Sequence, residues 1–195
     1  NMGGYTQTCV FYMQDYFDLH TPSADQKGME MANKIWDGFV ELFDWYDKVD
    51  EKTLDIHNDD IRYDLMFMNY MLTRVKMPGQ GLNARLKELK FDKVADYYAK
   101  YLNSSISKKL RQPNFDQQSV ANDFQELHSV MTLASKCGNT AMSQKVQQMA
   151  NTQFDAMEAA APGMGAAFRN FFNSIDNPEE TEEAESTEEP ASEQE

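Results

Sequence analysis

Residues 29–77 decide the fold, and they read MEMANKIWDGFVELFDWYDKVD (29–50), EKTLDIHNDD (51–60) and IRYDLMFMNYMLTRVKM (61–77). Apolar residues of the first segment recur at intervals of three and four: Ala32, Trp36, Phe39, Phe43 and Tyr46. The last segment repeats the pattern: Ile61, Leu65, Met68, Leu72 and Val75. Such spacing lines up one face of a helix, whereas a strand requires alternation by two. The stretch therefore predicts a helical hairpin with a polar joint.

Further helices are predicted on both sides of this hairpin, because the same spacing recurs between turn signals. They are expected at residues 5–20, 82–102, 116–136, 141–161 and 166–175. The turn signals are Pro78-Gly79, Pro113, Gly138 and Pro162-Gly163. No strand pattern and no internal repeat is present. The sequence predicts an all-α, single-domain bundle of five to seven helices over residues 1–175.

Charge is unevenly distributed along the chain, which has 195 residues and a net charge of −14. Residues 1–64 contain 5 basic and 14 acidic side chains, residues 65–111 contain 10 and 3, and residues 176–195 contain none and 10. The last segment also lacks aromatic and large aliphatic side chains, so it cannot bury enough surface to offset its ordering entropy. We expect residues 176–195 to be a disordered acidic tail.

The N-terminus and the cysteines bear on the cellular compartment of the protein. The chain begins Asn1-Met2, so processing, truncation or a cloning scar is expected upstream, and a removed export signal is one of these routes. No run of about 18 apolar residues is present to cross a membrane. Cys9 and Cys137 form either one disulfide in an exported protein or, more commonly for so few cysteines, two free thiols. A soluble protein is expected, with the cytoplasm slightly favoured.

Catalytic and metal-binding patterns are missing from the sequence. It contains no P-loop, no Gly-x-Ser-x-Gly and no Glu-x-x-His. His20, His57 and His128 each follow an acidic residue by two positions, a spacing that points the two side chains to different helix faces. We therefore predict a non-enzymatic protein with no cofactor and no metal site.

Two apolar clusters lead to the first functional hypothesis, which is protein interaction or assembly in a structural, adaptor or chaperone-like role. Methionine gives an adaptable surface for partner segments, and a short Phe-rich terminal helix has the composition to dock or detach. The candidate contact residues are Met66, Met68, Met71, Phe168, Phe171 and Phe172. A protein partner or self-association is expected.

The basic middle of the chain supports an alternative in single-stranded nucleic-acid binding, since such grooves combine cations with rings that stack on bases. The candidate residues within the basic region 74–111 are Lys87, Lys90, Lys93, Tyr97 and Tyr101. The acidic tail would then be autoinhibitory. The competing interpretation is that these cations neutralise the acidic first third across the bundle. A third hypothesis is a small-ligand or metal carrier.

Overall fold

The computed structural model describes residues 26–74 and 81–175, which fold into eight helices without a strand. The helices are α1 (Gln26–Lys48), α2 (Glu51–Ile56), α3 (Asn58–Arg74), α4 (Gly81–Glu88), α5 (Asp92–Leu110), α6 (Gln117–Lys136), α7 (Thr140–Ala160) and α8 (Met164–Ser174). The all-α prediction is confirmed. The predicted helix at 5–20 and the tail at 176–195 lie outside the described residues. None of the eight helices has both the length and the apolarity to cross a membrane.

The predicted hairpin consists of α1 and α3, and its two apolar faces form part of the core. The buried members of the two stripes are Trp36, Phe39, Phe43, Tyr46, Ile61, Leu65 and Met68. Helix α1 contacts α3 where the rings of Phe39 and Phe67, which lies beside the stripe, are 5.4 Å apart between centroids. In the joint, the Asp50 carboxylate accepts a hydrogen bond from the backbone N–H of Thr53 at 2.9 Å and so caps α2.

The single helix predicted at 82–102 is instead two helices, α4 and α5, with a break between Glu88 and Asp92. In a continuous helix, at about 100° per residue, the Leu86 and Leu89 side chains would point roughly 140° away from Phe91 and Val94. All four side chains are buried. The break lets both apolar faces reach the same core. It adds one helix and the short α2 in the joint adds another, so the six helices predicted within the described residues become eight.

α5 also extends beyond the predicted end at residue 102, because its two central serines are accommodated in the helix. Ser105 donates a hydrogen bond to the Asp123 carboxylate at 2.8 Å, and Ile106 is fully buried. Tyr101 lies on the outer side of α5, where its side chain is 44% exposed. It stacks on the outer face of Tyr98 at a centroid distance of 5.9 Å.

Helices α5 to α8 pack most extensively on one another and form the larger part of the core. At its centre the rings of Phe124 and Phe154 stack 4.9 Å apart. α6 ends at the predicted Gly138, whose φ of 81° is in the left-handed region that glycine adopts without strain. Asn139 then caps α7 by accepting a hydrogen bond from the Met142 N–H at 2.9 Å. These stop and start signals were predicted correctly.

The turn into α8 brings two helices into close backbone contact. Gly163 has a φ of 88°, and the Glu158 carboxylate accepts hydrogen bonds from the N–H groups of Gly163 (2.8 Å) and Ala166 (3.1 Å). A Cβ atom on Gly165 would lie 2.2 Å from the carbonyl oxygen of Phe154. Glycine is therefore required at position 165 for α8 to pack against α7.

Candidate functional site

An open cleft lies between α3, α5 and α6, and it has two connected halves. The apolar half has a volume of about 460 Å³ and is lined in particular by Leu65, Met66, Asn69, Gln125 and Ser129. The polar half has a volume of about 310 Å³ and is lined in particular by Asn58, Asp59, Tyr101, Ser105, Lys109 and Asp123. Both halves are lined by Arg62, Tyr98, Asn122 and Glu126, so they lie side by side along α3.

An ion pair bridges the cleft between its two halves. The Arg62 Nε atom of α3 lies 2.9 Å from the Glu126 carboxylate of α6. The hydroxyl group of Tyr98, on the floor formed by α5, donates a hydrogen bond to the same carboxylate. Burial and the neighbouring Glu126 raise the pKa of Tyr98, so the phenol is a neutral donor at physiological pH. This three-residue contact holds α3 and α6 apart at a fixed separation.

The apolar half is formed where α3 turns an unburied face toward α6. Leu65 is buried at the base of this half, whereas Met66 is 50% exposed on its wall. Amide side chains of Asn122 and Gln125 line the opposite wall. This half therefore combines a deformable thioether with polar groups that both donate and accept hydrogen bonds.

The polar half contains a buried charge network. The Asp123 carboxylate is nearly buried and accepts hydrogen bonds from the Ser105 hydroxyl and, at 2.7 Å, from the Lys109 ammonium group. The side-chain oxygen of Asn58 is buried and has no hydrogen-bond partner among the described residues. Asp59, exposed at the mouth, forms no ion pair within the described ranges. The Asp59 carboxylate is thus available to an occupant, and the buried Asn58 oxygen is an unsatisfied acceptor.

The methionine part of the predicted interaction set is divided by the structure. Met66 lies in the cleft, but Met68 is fully buried in the core. The side chain of Met71 lies outside the described part of the chain. Only Met66 of the three is therefore shown to be accessible to a partner.

The phenylalanine part of the set is divided in the same way. Phe172 is buried, with its ring centroid 5.7 Å from Phe154 and 4.9 Å from His128. Phe168 is partly buried against the core, and Phe171 is 36% exposed. α8 is thus docked mainly through Phe172, and Phe171 is the side chain that remains available on its surface.

Two of the three lysines proposed for nucleic-acid binding, Lys90 and Lys93, contact the acidic helix α1 or the residue that follows it. Lys90 donates a hydrogen bond to the Asp44 carboxylate, which raises the pKa of Lys90. Hydrogen bonds from Lys48 and Lys90 together lower the pKa of Asp44 to about 2. Lys93 donates to the backbone carbonyl oxygens of Asp47 and Val49, at the C-terminal end of α1. Both contacts agree with the interpretation that the basic region neutralises the acidic first third.

The remaining members of that set do not form one surface. The Tyr97 hydroxyl donates a hydrogen bond to Asp55 at 2.6 Å, and burial together with this carboxylate raises the pKa of Tyr97. Tyr101 lies in the polar half of the cleft, and Lys87 is exposed on α4. Nucleic-acid binding stays a prediction, with two of its three lysines engaged in contacts within the fold.

Histidines and cysteine were the other reactive candidates. His57 Nδ1 lies 2.9 Å from the Asp60 carboxylate, three residues away, rather than pairing with an acid two positions distant. His128 is buried between α6 and α8. Cys137 is a free thiol, and burial raises its pKa to about 11. Within residues 26–74 and 81–175, no group of three His, Cys, Asp or Glu side chains is placed to hold a metal ion.

Comparison with protein-family models, curated protein sequences and solved structures finds no match to this chain. The cleft is therefore interpreted from its own residues. Sequence reasoning missed Arg62, Asp123 and Glu126. A signal was available for Asp123, because it shares the inward stripe of α6 with Val120 and Leu127, where a charged side chain requires a buried partner.

Proposed function

We propose that this chain is a non-enzymatic protein-interaction or assembly module, and that its cleft between α3, α5 and α6 binds a segment of a partner polypeptide. The observation that carries the proposal is the position of Met66. Its side chain is half exposed on the wall of an apolar recess, although the neighbouring Leu65 and Met68 are buried. An exposed methionine beside a recess is typical of surfaces that adapt to partner side chains.

The dimensions of the cleft support a polypeptide occupant. Along α3 it extends from Asn58 to Asn69, which is about 16 Å at about 1.5 Å per residue. An apolar recess takes anchoring side chains, and the amides of Asn122 and Gln125 are suited to the polar edges of a peptide. A groove of this length accommodates about three turns of an amphipathic helix.

The charged groups of the cleft support a binding role rather than a catalytic one. Glu126 is held by Arg62 and Tyr98, and Asp123 is held by Ser105 and Lys109. Each of these carboxylates is engaged by two donors from neighbouring helices, which favours a role in positioning the helices. The proposal therefore treats them as the frame of the groove.

Site-specific photo-crosslinking in cells tests the proposal. A photoreactive amino acid is placed at Met66, at Phe171 on α8, or at Glu41, which is exposed on α1 and serves as the control position. We expect a covalent adduct with a distinct protein from position 66 and none from position 41. Adducts from position 171 alone would transfer the interaction to α8. Identical adducts from positions 66 and 41, or none from positions 66 and 171, would overturn the proposal.

A further inference from the structure

We infer that the polar half of the cleft binds a lysine or arginine side chain, so that the partner segment is a basic amphipathic helix. This inference rests on the proposed function and specifies the chemistry of its partner. The apolar half receives an apolar side chain beside Met66. The polar half receives the cation at the level of Asp59 and Tyr101.

Three groups in the polar half are suited to a cationic donor. The side-chain oxygen of Asn58 in this half is buried and lacks a hydrogen-bond partner, which is unfavourable for an acceptor. The Asp59 carboxylate is exposed nearby. The ring of Tyr101, stacked on Tyr98, offers a face to a cation. An ammonium or guanidinium group that enters the polar half would meet the exposed Asp59 carboxylate and the exposed Tyr101 ring.

The charged side chains that line the polar half favour a cationic occupant over an anionic one. Two cations and three carboxylates line the polar half. Both cations are already paired, Arg62 with Glu126 and Lys109 with Asp123. Asp59 interacts with Arg62 only through space and forms no direct ion pair among the described residues. A carboxylate or phosphate entering here would have to break an existing pair, whereas a cation leaves both pairs intact.

The separation of the two halves fixes the spacing expected in the partner. Asp59 and Met66 are seven residues apart on α3, which corresponds to about 10 Å along the helix axis. A partner helix that lies along α3 would therefore present its apolar anchor and its cation on the same face, two turns apart. This requirement for two features about 10 Å apart favours a peptide over a compact small molecule.

Fluorescence anisotropy with the full chain tests the inference. The probes are two labelled 16-residue Ala- and Gln-based helical peptides with the same leucine anchor, one with arginine and one with glutamate seven residues from the anchor. We expect the arginine peptide to bind at least about tenfold more tightly than the glutamate peptide at about 50 mM salt. Asp59→Asn should remove most of this preference. Met66→Glu should weaken binding of the arginine peptide about tenfold, and the control Glu41→Gln should change neither peptide.

The other outcomes overturn the inference and are separable from the proposed function. If both peptides bind equally and their binding still depends on Met66, the cation preference is refuted, while the binding of a polypeptide in the cleft is retained. No peptide binding, with position 66 still crosslinking a protein, would do the same. A dimer in sedimentation velocity that Met66→Glu dissociates would identify a second copy as the occupant. A small molecule seen by native mass spectrometry and lost in Met66→Glu would replace the polypeptide altogether.

Discussion

Replacing the buried Asp64 by asparagine should stabilise the protein at neutral pH. Asp64 lies on the inner face of α3, 7% exposed, where it accepts a hydrogen bond from the Tyr46 hydroxyl at 2.6 Å. Burial raises the pKa of Asp64 to about 6, the hydrogen bond from Tyr46 opposes this, and the nearby Asp60 adds to it. At pH 7.5 the folded protein therefore holds an ionised carboxylate in an unfavourable place.

The size of the effect follows from linkage between protonation and folding. The pKa of Asp64 is about 6 in the folded chain and 3.8 for the free side chain. Each tenfold change in the acid dissociation constant corresponds to about 1.4 kcal/mol, so ionised Asp64 destabilises the folded state by about 3 kcal/mol. Between pH 3.8 and 6 the folded state binds more protons than the unfolded state, so this contribution is fully present below pH 3.8 and lost as pH rises through 6. Asparagine keeps an acceptor for Tyr46 but buries an amide donor, at about 1 kcal/mol. The net gain expected at pH 7.5 is about 1–3 kcal/mol.

Urea unfolding followed by the fluorescence of Trp36 and Trp45, at pH 4, 5, 6 and 7.5, measures this gain. The difference between Asp64→Asn and the unmodified chain should be near zero or slightly negative at pH 4 and should rise to its plateau above pH 6 to 7. The matched control Asp47→Asn, exposed on α1, should change stability by less than about 0.5 kcal/mol. A destabilised Asp64→Asn at pH 7.5, or a difference that does not vary with pH, would refute the reasoning.

Three further predictions concern α8, the thiol and nucleic acid. Gly165→Ala should lower the free energy of unfolding by about 2–3 kcal/mol in urea titrations, because its Cβ would meet the Phe154 carbonyl. The control Ala166→Gly should lower it by only about 1 kcal/mol. Equal effects would contradict the close approach of the two helices. In a Cys9→Ser background, Cys137 should react with a disulfide reagent at pH 8 about a hundredfold more slowly in the folded than in the unfolded chain. The reason is that burial raises the pKa of the thiol to about 11 from 9.0. Equal rates would show that the thiol is not shielded. Labelled single-stranded RNA or DNA can be titrated with the full chain and with a chain ending at residue 175, at about 50 and 200 mM salt. We expect no tight binding, because Lys90 and Lys93 are engaged by α1. Tight, salt-sensitive binding by the shorter chain would restore the nucleic-acid hypothesis.

The core was largely predictable because periodicity reports which face of a helix is buried. The stripes through Trp36 and Phe43, and through Phe124 and Phe154, are buried as their spacing indicates. The same spacing argued against Met68 as a contact residue, since it shares a face with the buried Leu65. The position of Met68 on the apolar face of α3 thus outweighs its membership of the methionine cluster.

The break between α4 and α5, and the cleft itself, follow from tertiary contacts that a single sequence does not specify. The break required recognising that Leu86 and Phe91 could not share one helical face. The cleft depends on Arg62 reaching Glu126 across two helices that are distant in sequence. No local pattern of residues indicates such a pairing.

The aromatic stripe of α1 has a consequence for how the chain is made. Its Phe43 packs against Phe91, with ring centroids 5.8 Å apart, and Phe91 is synthesised later. Translation of the intervening residues takes roughly 2–10 s at about 5–20 residues per second. During that interval the nascent chain displays Trp36, Phe39 and Phe43 without the surface that will cover them. The emerging N-terminal half therefore depends on a segment made later to complete the packing of its aromatic face.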